Sequence, residues 1–300
     1  MRFISKNSLV VVLGELEGFD EYDDAKKEYY ICRVSKESKE SIKTIKLKNG
    51  IIHNLKCSDN SKSTIQVYGM YQGMSKIGIS GDFFIEYEMS DRLKVIKQHQ
   101  NEFSDSIRLS DFSKKRISGK KKLRMKNYKP MNRIITKDSS SLSFFENEGY
   151  YTTHEGYSKA YSNNIIIVKN NHQGKEIWTK KIWKNQSPGS NGFGGHQSFV
   201  ANGNLYTFFL DHQENKGVPD DKAHVDWVTL STKKSKYGYA MVIINLETGK
   251  TSKQQLFTCF EFGKGRWYIP MEKHGITNNG FVILAQEVFS KKRRIIEFLW

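Results

Sequence analysis

Carboxylates and imidazoles gather most densely between residues 196 and 226. His196 stands just before an apolar strand, and Asp211, His212, Glu214 and Asn215 close the next one. Asp220, Asp221, His224 and Asp226 follow in the connecting loop. Oxygen and imidazole donors converging on one end of a sheet can hold a divalent cation or a polar ligand. The spacing here is irregular and matches none of the recognised calcium or zinc loops, so no metal is assigned. Asp and Asn also close turns by bonding their own backbone, which accounts more simply for Asp211 and Asn215. His196, Asp211, His212 and Asn215 are candidate ligand contacts. Tyr151 joins them from the Tyr150, Tyr151, Tyr157 and Tyr161 group, whose rings suit either a sugar or partner face or packing within the chain.

Catalytic patterns are sparse. Ser198 lies two residues from His196, which puts both on one face of a strand without forming a triad. No Gly-x-Ser-x-Gly elbow occurs. The glycine-rich stretch Gly189–Gly195 lacks the Lys-Ser/Thr of a phosphate loop and reads as a connection between units. Two carboxylates brought together from distant strands remain a route to glycoside hydrolysis, although the Ser-x-Asp-x-Gly-x-x-Trp box of sialidase propellers does not occur. No cofactor pattern is found.

A basic run, Lys114, Lys115, Arg116, Lys120, Lys121, Lys122 and Arg124, accounts for part of a net charge of +16. Such a run can contact an anionic surface. The remaining excess is scattered lysine, which also blocks pairing of exposed strand edges. Aromatic and basic residues do not interleave along one strand, so protein or glycan partners are favoured over nucleic acid.

What must position these residues is a recurring hairpin. Apolar strands at Glu28–Val34, Asp82–Glu88, Asn164–Val168 and Tyr239–Asn245 each run into a polar turn and out into another strand. Repetition at this scale is the mark of stacked all-β arrays. The expected fold is all-β, a propeller-like array of four-stranded antiparallel blades. It forms one domain over 1–300, interrupted by a basic insertion at about 101–130. Counting strands gives about four and a half blades, beginning on a second strand and ending on a third. Either the partial units share a blade or the array is incomplete.

Leu9–Leu13 is too short for a secretory apolar region and reads as a strand. No segment reaches the roughly 20 apolar residues of a membrane helix. Cys32, Cys57 and Cys259 include no Cys-x-x-Cys pair, and Cys32 reads as a buried core thiol.

From about Leu47 onward the chain resembles a family of exported β-propeller-like proteins of Bacteroidota whose function is unknown. The likeness rests on Gln66–Tyr71 followed by Gly81–Ile85, on Phe112–Arg116, on Trp178–Gln186, on Gln197–Phe199, on Asn204–Asn215 and on Arg293–Phe298. It implies a propeller fold and a periplasmic, cell-surface or secreted setting, with the N-terminal part of such proteins lacking here. It implies no catalytic residue. The resulting expectation is a non-enzymatic binding or scaffold module acting through loops on one face, a step of fold-level analogy. The alternative is a hydrolase of glycans or other surface polymers with carboxylates drawn from several blades.

Overall fold

The computed structural model describes residues 2–5, 8–15, 28–35, 41–61, 63–73, 78–89, 93–111, 125–152, 154, 156–187, 195–215, 228–229, 237–258, 267–268, 274–277, 280–287 and 292–299. Their architecture is all-β and propeller-like, built from four-stranded, chiefly antiparallel sheets whose strands mostly follow chain order.

The first sheet runs β1 (Arg2–Ser5), β2 (Ser8–Glu15), β3 (Glu28–Ser35) and β4 (Ser41–Thr44). The second runs β5 (Ile51–Ser61), β6 (Thr64–Gln72), β7 (Gly81–Glu88) and β8 (Lys94–Glu102). A single helical turn, α1 (Asp105–Arg108), leads away from it. The third sheet contains β9 (Tyr128–Ile135), β10 (Ser141–Thr152), β11 (Ser158–Asn170) and β12 (Glu176–Ser187). The fourth begins with β13 (Gln197–Ala201) and β14 (Asn204–His212). The chain then sends a two-residue strand, β15 (Val228–Thr229), back to lie parallel to the end of β12. It returns to complete the fourth sheet with β16 (Tyr237–Asn245) and β17 (Thr251–Thr258). In the fifth, β18 (Trp267–Tyr268) and β19 (His274–Thr277) both pair with β20 (Gly280–Glu287), which also pairs with β21 (Arg293–Leu299).

The four apolar segments that reveal the repeat become β3, β7, β11 and β16, the third strand of four successive sheets. Each has partners on both sides; the apolar runs of β7, β11 and β16 are buried, whereas in β3 only Ile31 is buried among the described side chains. The half unit expected at the beginning of the chain is corrected: Arg2–Ser5 pairs with Leu9–Val11 and neighbours to give the first sheet its fourth strand. At the other end His274–Thr277 lies along the same edge of β20 as Trp267–Tyr268, with β21 on the opposite edge, so the last sheet stays three strands wide. Arg2–Ser5 and His274–Thr277 are each four residues long, too short for alternation to stand out. Leu9–Leu13 lies within β2.

Polar turns follow from side-chain chemistry. Asn171 Oδ1 accepts from the Gln173 and Lys175 amides at 2.9 and 3.0 Å, and Gly174 supplies a φ of +86°. Asn245 plays the same part for Glu247 and Thr248, with Gly249 at φ +67°.

The chain divides into two compact units, 1–145 with 167–179, and 146–166 with 180–300. In the first, odd-numbered residues of β7 (Phe83, Ile85, Tyr87) pack with Ile65, Val67 and Ile31 into an apolar core. In the second, Phe199, Phe208 and Phe281 gather with Met241, the Phe281 ring 4.7 Å from each of the other two. Cys57 is the buried thiol, whereas Cys32 is only half-buried. That corrects the expectation for Cys32.

Candidate functional site

Because side chains alternate along a strand, Asp82, Phe84 and Glu86 of β7 share the face opposite the apolar core. Gln66 and Tyr68 of β6 stand beside them in register, Gln66 opposite Glu86 and Tyr68 opposite Phe84. Gln66 Nε2 donates to Glu86 Oε1 at 3.1 Å. Over this face lies Arg133 of β9, its guanidinium carbon 3.7 Å from the Phe84 ring centre and 6.0 Å from that of Tyr68. A guanidinium stacked on aromatic faces is stabilised by the ring quadrupole. Arg133 Nη2 donates to Ser141 Oγ at 2.8 Å. Nε and Nη1 are shielded from solvent and have no hydrogen-bond partner among the described residues.

Beside Arg133 opens a cleft of about 490 Å³. Its walls are β-strand side chains and two turns, one carrying Asp138 and Ser139, the other Asn171, His172 and Gly174. Lys97 also lines it and donates to the His172 carbonyl. Gly174 packs on the His99 ring, and a Cβ there would collide with the imidazole. A volume of this order matches a small-molecule site.

The charges around the cleft are uneven in how well they are met. Burial pulls Arg133 down to about 10, against the attraction of Tyr68, Asp82 and Glu86, so it stays cationic at neutral pH. Asp138 already accepts from Thr136 and from the Ser140 hydroxyl at 2.7 Å, and those hydroxyls hold its carboxyl down at about 2. Asp82 is 1% exposed. Burial pushes it up to about 7, only partly offset by a 3.3 Å hydrogen bond from Asn101 Nδ2.

The second unit holds a polar constellation that is fully enclosed. Glu146 of β10 accepts from Ser162 of β11, pairs with Lys184 of β12 and lies 2.9 Å from His196 Nδ1. Lys184 Nζ also donates to Gln186 Oε1 at 2.9 Å and to the Ser162 carbonyl at 3.2 Å. Gln186 continues the chain of contacts to the Leu210 carbonyl at 2.8 Å. Burial alone would raise the Glu146 carboxyl, but the Lys184 and His196 charges outweigh it and hold it well below the usual carboxylate range. An ion pair with no exposed side-chain surface on either partner can order a core but offers no access to a substrate.

The residues singled out in sequence separate in space. His196 belongs to the Glu146 constellation. Asp211 accepts from Asn215 Nδ2 at 2.6 Å and from its neighbour's amide, His212 N, at 2.9 Å, and pairs with Lys253 at 2.6 Å. His212 Nδ1 accepts from the Glu214 amide at 3.3 Å. All four of His196, Asp211, His212 and Asn215 are buried. Among the described residues, no three His, Cys, Asp or Glu side chains group as a metal site requires. Tyr151 falls within β10. Lys114, Lys115, Arg116, Lys120, Lys121, Lys122 and Arg124 lie outside the described residues, as do Asp220, Asp221, His224 and Asp226.

Arg133 and its cleft escaped the reading of the sequence. The available signal was an arginine beside the apolar pair Ile134 and Ile135 near the end of β9, set against the period-2 pattern Asp82, Phe84, Glu86.

No family model matches the chain, and no curated protein matches it by sequence. Among solved structures, a GH32 β-fructofuranosidase of Bombyx mori superposes with a TM-score of 0.31 and 8% identity, over 94% of this chain and 53% of its own. An apocarotenoid oxygenase of Synechocystis (Glu150Gln mutant) gives 0.33 and 11%, over 91% of this chain and 58% of its own. The chain thus spans little more than half the length of either protein. Superpositions this loose transfer neither an activity nor a residue.

Proposed function

We propose that the protein is a non-enzymatic binding module of propeller type that receives a polar ligand in the cleft beside Arg133. The observation that carries this reading is the cleft itself, which combines a ligand-sized volume with polar walls drawn from two sheets and two turns. Turns mounted on rigid strands are a common way to present such contacts. The candidates His196, Asp211, His212 and Asn215 support it less, since their polar atoms serve one another and the backbone.

The test is ligand-observed NMR against a panel of monosaccharides, disaccharides and small polyols. Ile135 lines the cleft and is 46% exposed, so Ile135→Trp fills the cleft without disturbing the core. Binding by the native chain that is lost in Ile135→Trp is the expected result. A panel in which no ligand distinguishes the two proteins refutes the reading.

One observation favours a second reading, glycan hydrolysis. Asp82, at about 7, would hold a proton near neutrality on the same strand face as Glu86. Its burial places this reading second. Turnover of a glycan substrate that disappears in Asp82→Asn would promote it to first.

A further inference from the structure

Granted the binding reading above, we propose that the cleft selects ligands bearing a carboxylate, and that Arg133 is the residue that recognises it. A guanidinium offers five N–H donors and accepts nothing. Here only Nη2 has a partner, Ser141 Oγ, while Nε and Nη1 have none among the described residues. Both atoms are removed from solvent, where an unmet donor is costly.

The acids near Arg133 do not meet this need. Glu86 accepts from Gln66, and Asp138 is held by Thr136, Ser140 and, at 3.9 Å, Lys169. Asp82, whose charge also attracts Arg133, accepts from Asn101 at 3.3 Å, and no hydrogen bond joins Arg133 to any of these three carboxylates among the described residues. The unmet hydrogen-bonding capacity of the cleft therefore lies in donors, and a complementary ligand supplies acceptor oxygens. Nη1 and Nη2 form one end of a planar fork, whose spacing matches the two oxygens of a carboxylate. Stacking on Phe84 keeps that plane in place before a ligand arrives.

Chemistry around the fork extends the assignment. Gln66, Asn171 and Ser139 bring neutral amides and a hydroxyl to the same cleft. Such groups suit the hydroxyls of a sugar acid, and about 490 Å³ accommodates a ring of that size. The ligand class is a hydroxylated carboxylate, with a uronic acid as its simplest form.

The experiment compares D-glucuronate, D-glucose and inorganic phosphate by calorimetric titration at low salt. The native protein is set beside Arg133→Lys, Ile135→Glu and Ile135→Lys. A charge-assisted hydrogen bond lost from a buried site reduces affinity by about ten- to a hundredfold. Glucuronate is expected to bind at least about tenfold more tightly than glucose, and to lose that margin in Arg133→Lys. Should Arg133→Lys misfold, the Ile135 pair still decides, because that side chain is exposed. Relative to glucose in the same variant, Ile135→Glu is expected to weaken glucuronate and Ile135→Lys to strengthen it.

Equal affinity for glucuronate and glucose overturns the carboxylate assignment. So does phosphate binding as tightly as glucuronate, because the planar match then counts for nothing. If a neutral sugar binds as tightly as glucuronate and Ile135→Trp blocks both, the binding reading stands and only the carboxylate falls. If no ligand of any charge is blocked by Ile135→Trp, both fail.

Discussion

Removing the Glu146 carboxylate should expose the cost of a buried cation. Lys184 and Glu146 have no side-chain exposure, so the ammonium of Lys184 cannot reach water when its partner is taken away. In Glu146→Gln its hydrogen bonds go to neutral acceptors, the Ser162 hydroxyl and carbonyl and Gln186 Oε1, while the Glu148 charge still attracts it. Breaking one side of a buried pair typically costs about 3–5 kcal/mol. The neutral acceptors offset part of this, which points to about 3 kcal/mol for Glu146→Gln. Lys184→Met leaves a carboxylate with Ser162 and His196 and should cost a similar amount, about 3 kcal/mol. The double variant carries no stranded charge, and well-packed neutral replacements of buried pairs are often close to neutral. The assay is urea denaturation of the native chain, both single variants and the double, read as a double-mutant cycle. With the double near neutral, the coupling approaches about 6 kcal/mol, the sum of the two single costs. Costs that simply add, with the double near 6 kcal/mol, would refute the idea that stranded charge dominates. Acid provides a check with a defined sign. An unfolded Glu146 takes up its proton near 4.5, and the folded one only well below that. Its contribution is therefore complete above about 4.5 and is lost as pH falls further. Glu146→Gln should flatten that acid limb of the stability curve.

Asp82 should behave in the opposite sense. Its folded value near 7 exceeds the ordinary 3.8, so stability falls as pH rises between the two, and Asp82→Asn should be more stable than the native chain at pH 8 but not at pH 4, as thermal melts at both pH values would reveal. Gly69→Ala should destabilise by about 1–3 kcal/mol in urea, because the added Cβ would meet the Asn54 and Leu55 backbone of the paired strand, which has no flexible end to yield. An unchanged midpoint would show that β5 shifts freely there. Cys57 is 5% exposed, and burial raises its thiol to about 12, so alkylation followed by peptide mass mapping should modify it slowly in the native state and rapidly in urea. Equal rates would place that strand outside the core.

Much of the architecture could be read from local pattern. The runs Glu28–Val34, Asp82–Glu88, Asn164–Val168 and Tyr239–Asn245 announce inner strands because a strand with two partners buries both faces. The turns after Asn170 and at Asn245 were legible for a similar reason, since Asn and Gly act on their own neighbours. Strands with little apolar content or length, Arg2–Ser5 and His274–Thr277, left no such trace and were missed.

Chemistry followed a different rule. Residues 196–226 drew attention because acids and histidines are dense there along the chain. In space, His196 turns to Glu146, while Asp211 turns to Asn215 and Lys253. Linear density says nothing about which partner a side chain meets across a sheet. The cleft depends on Gln66, Phe84, Arg133, Asp138 and Asn171, contributed by several strands and two turns. Strand alternation alone puts Asp82, Phe84 and Glu86 on one face, and residue type alone makes Arg133 a cation. Which of its donors are met, and by what, depends on the packing of β9 over β7, a contact between segments some fifty residues apart. Periodicity is a property of neighbours in the chain; hydrogen-bond satisfaction is a property of neighbours in space.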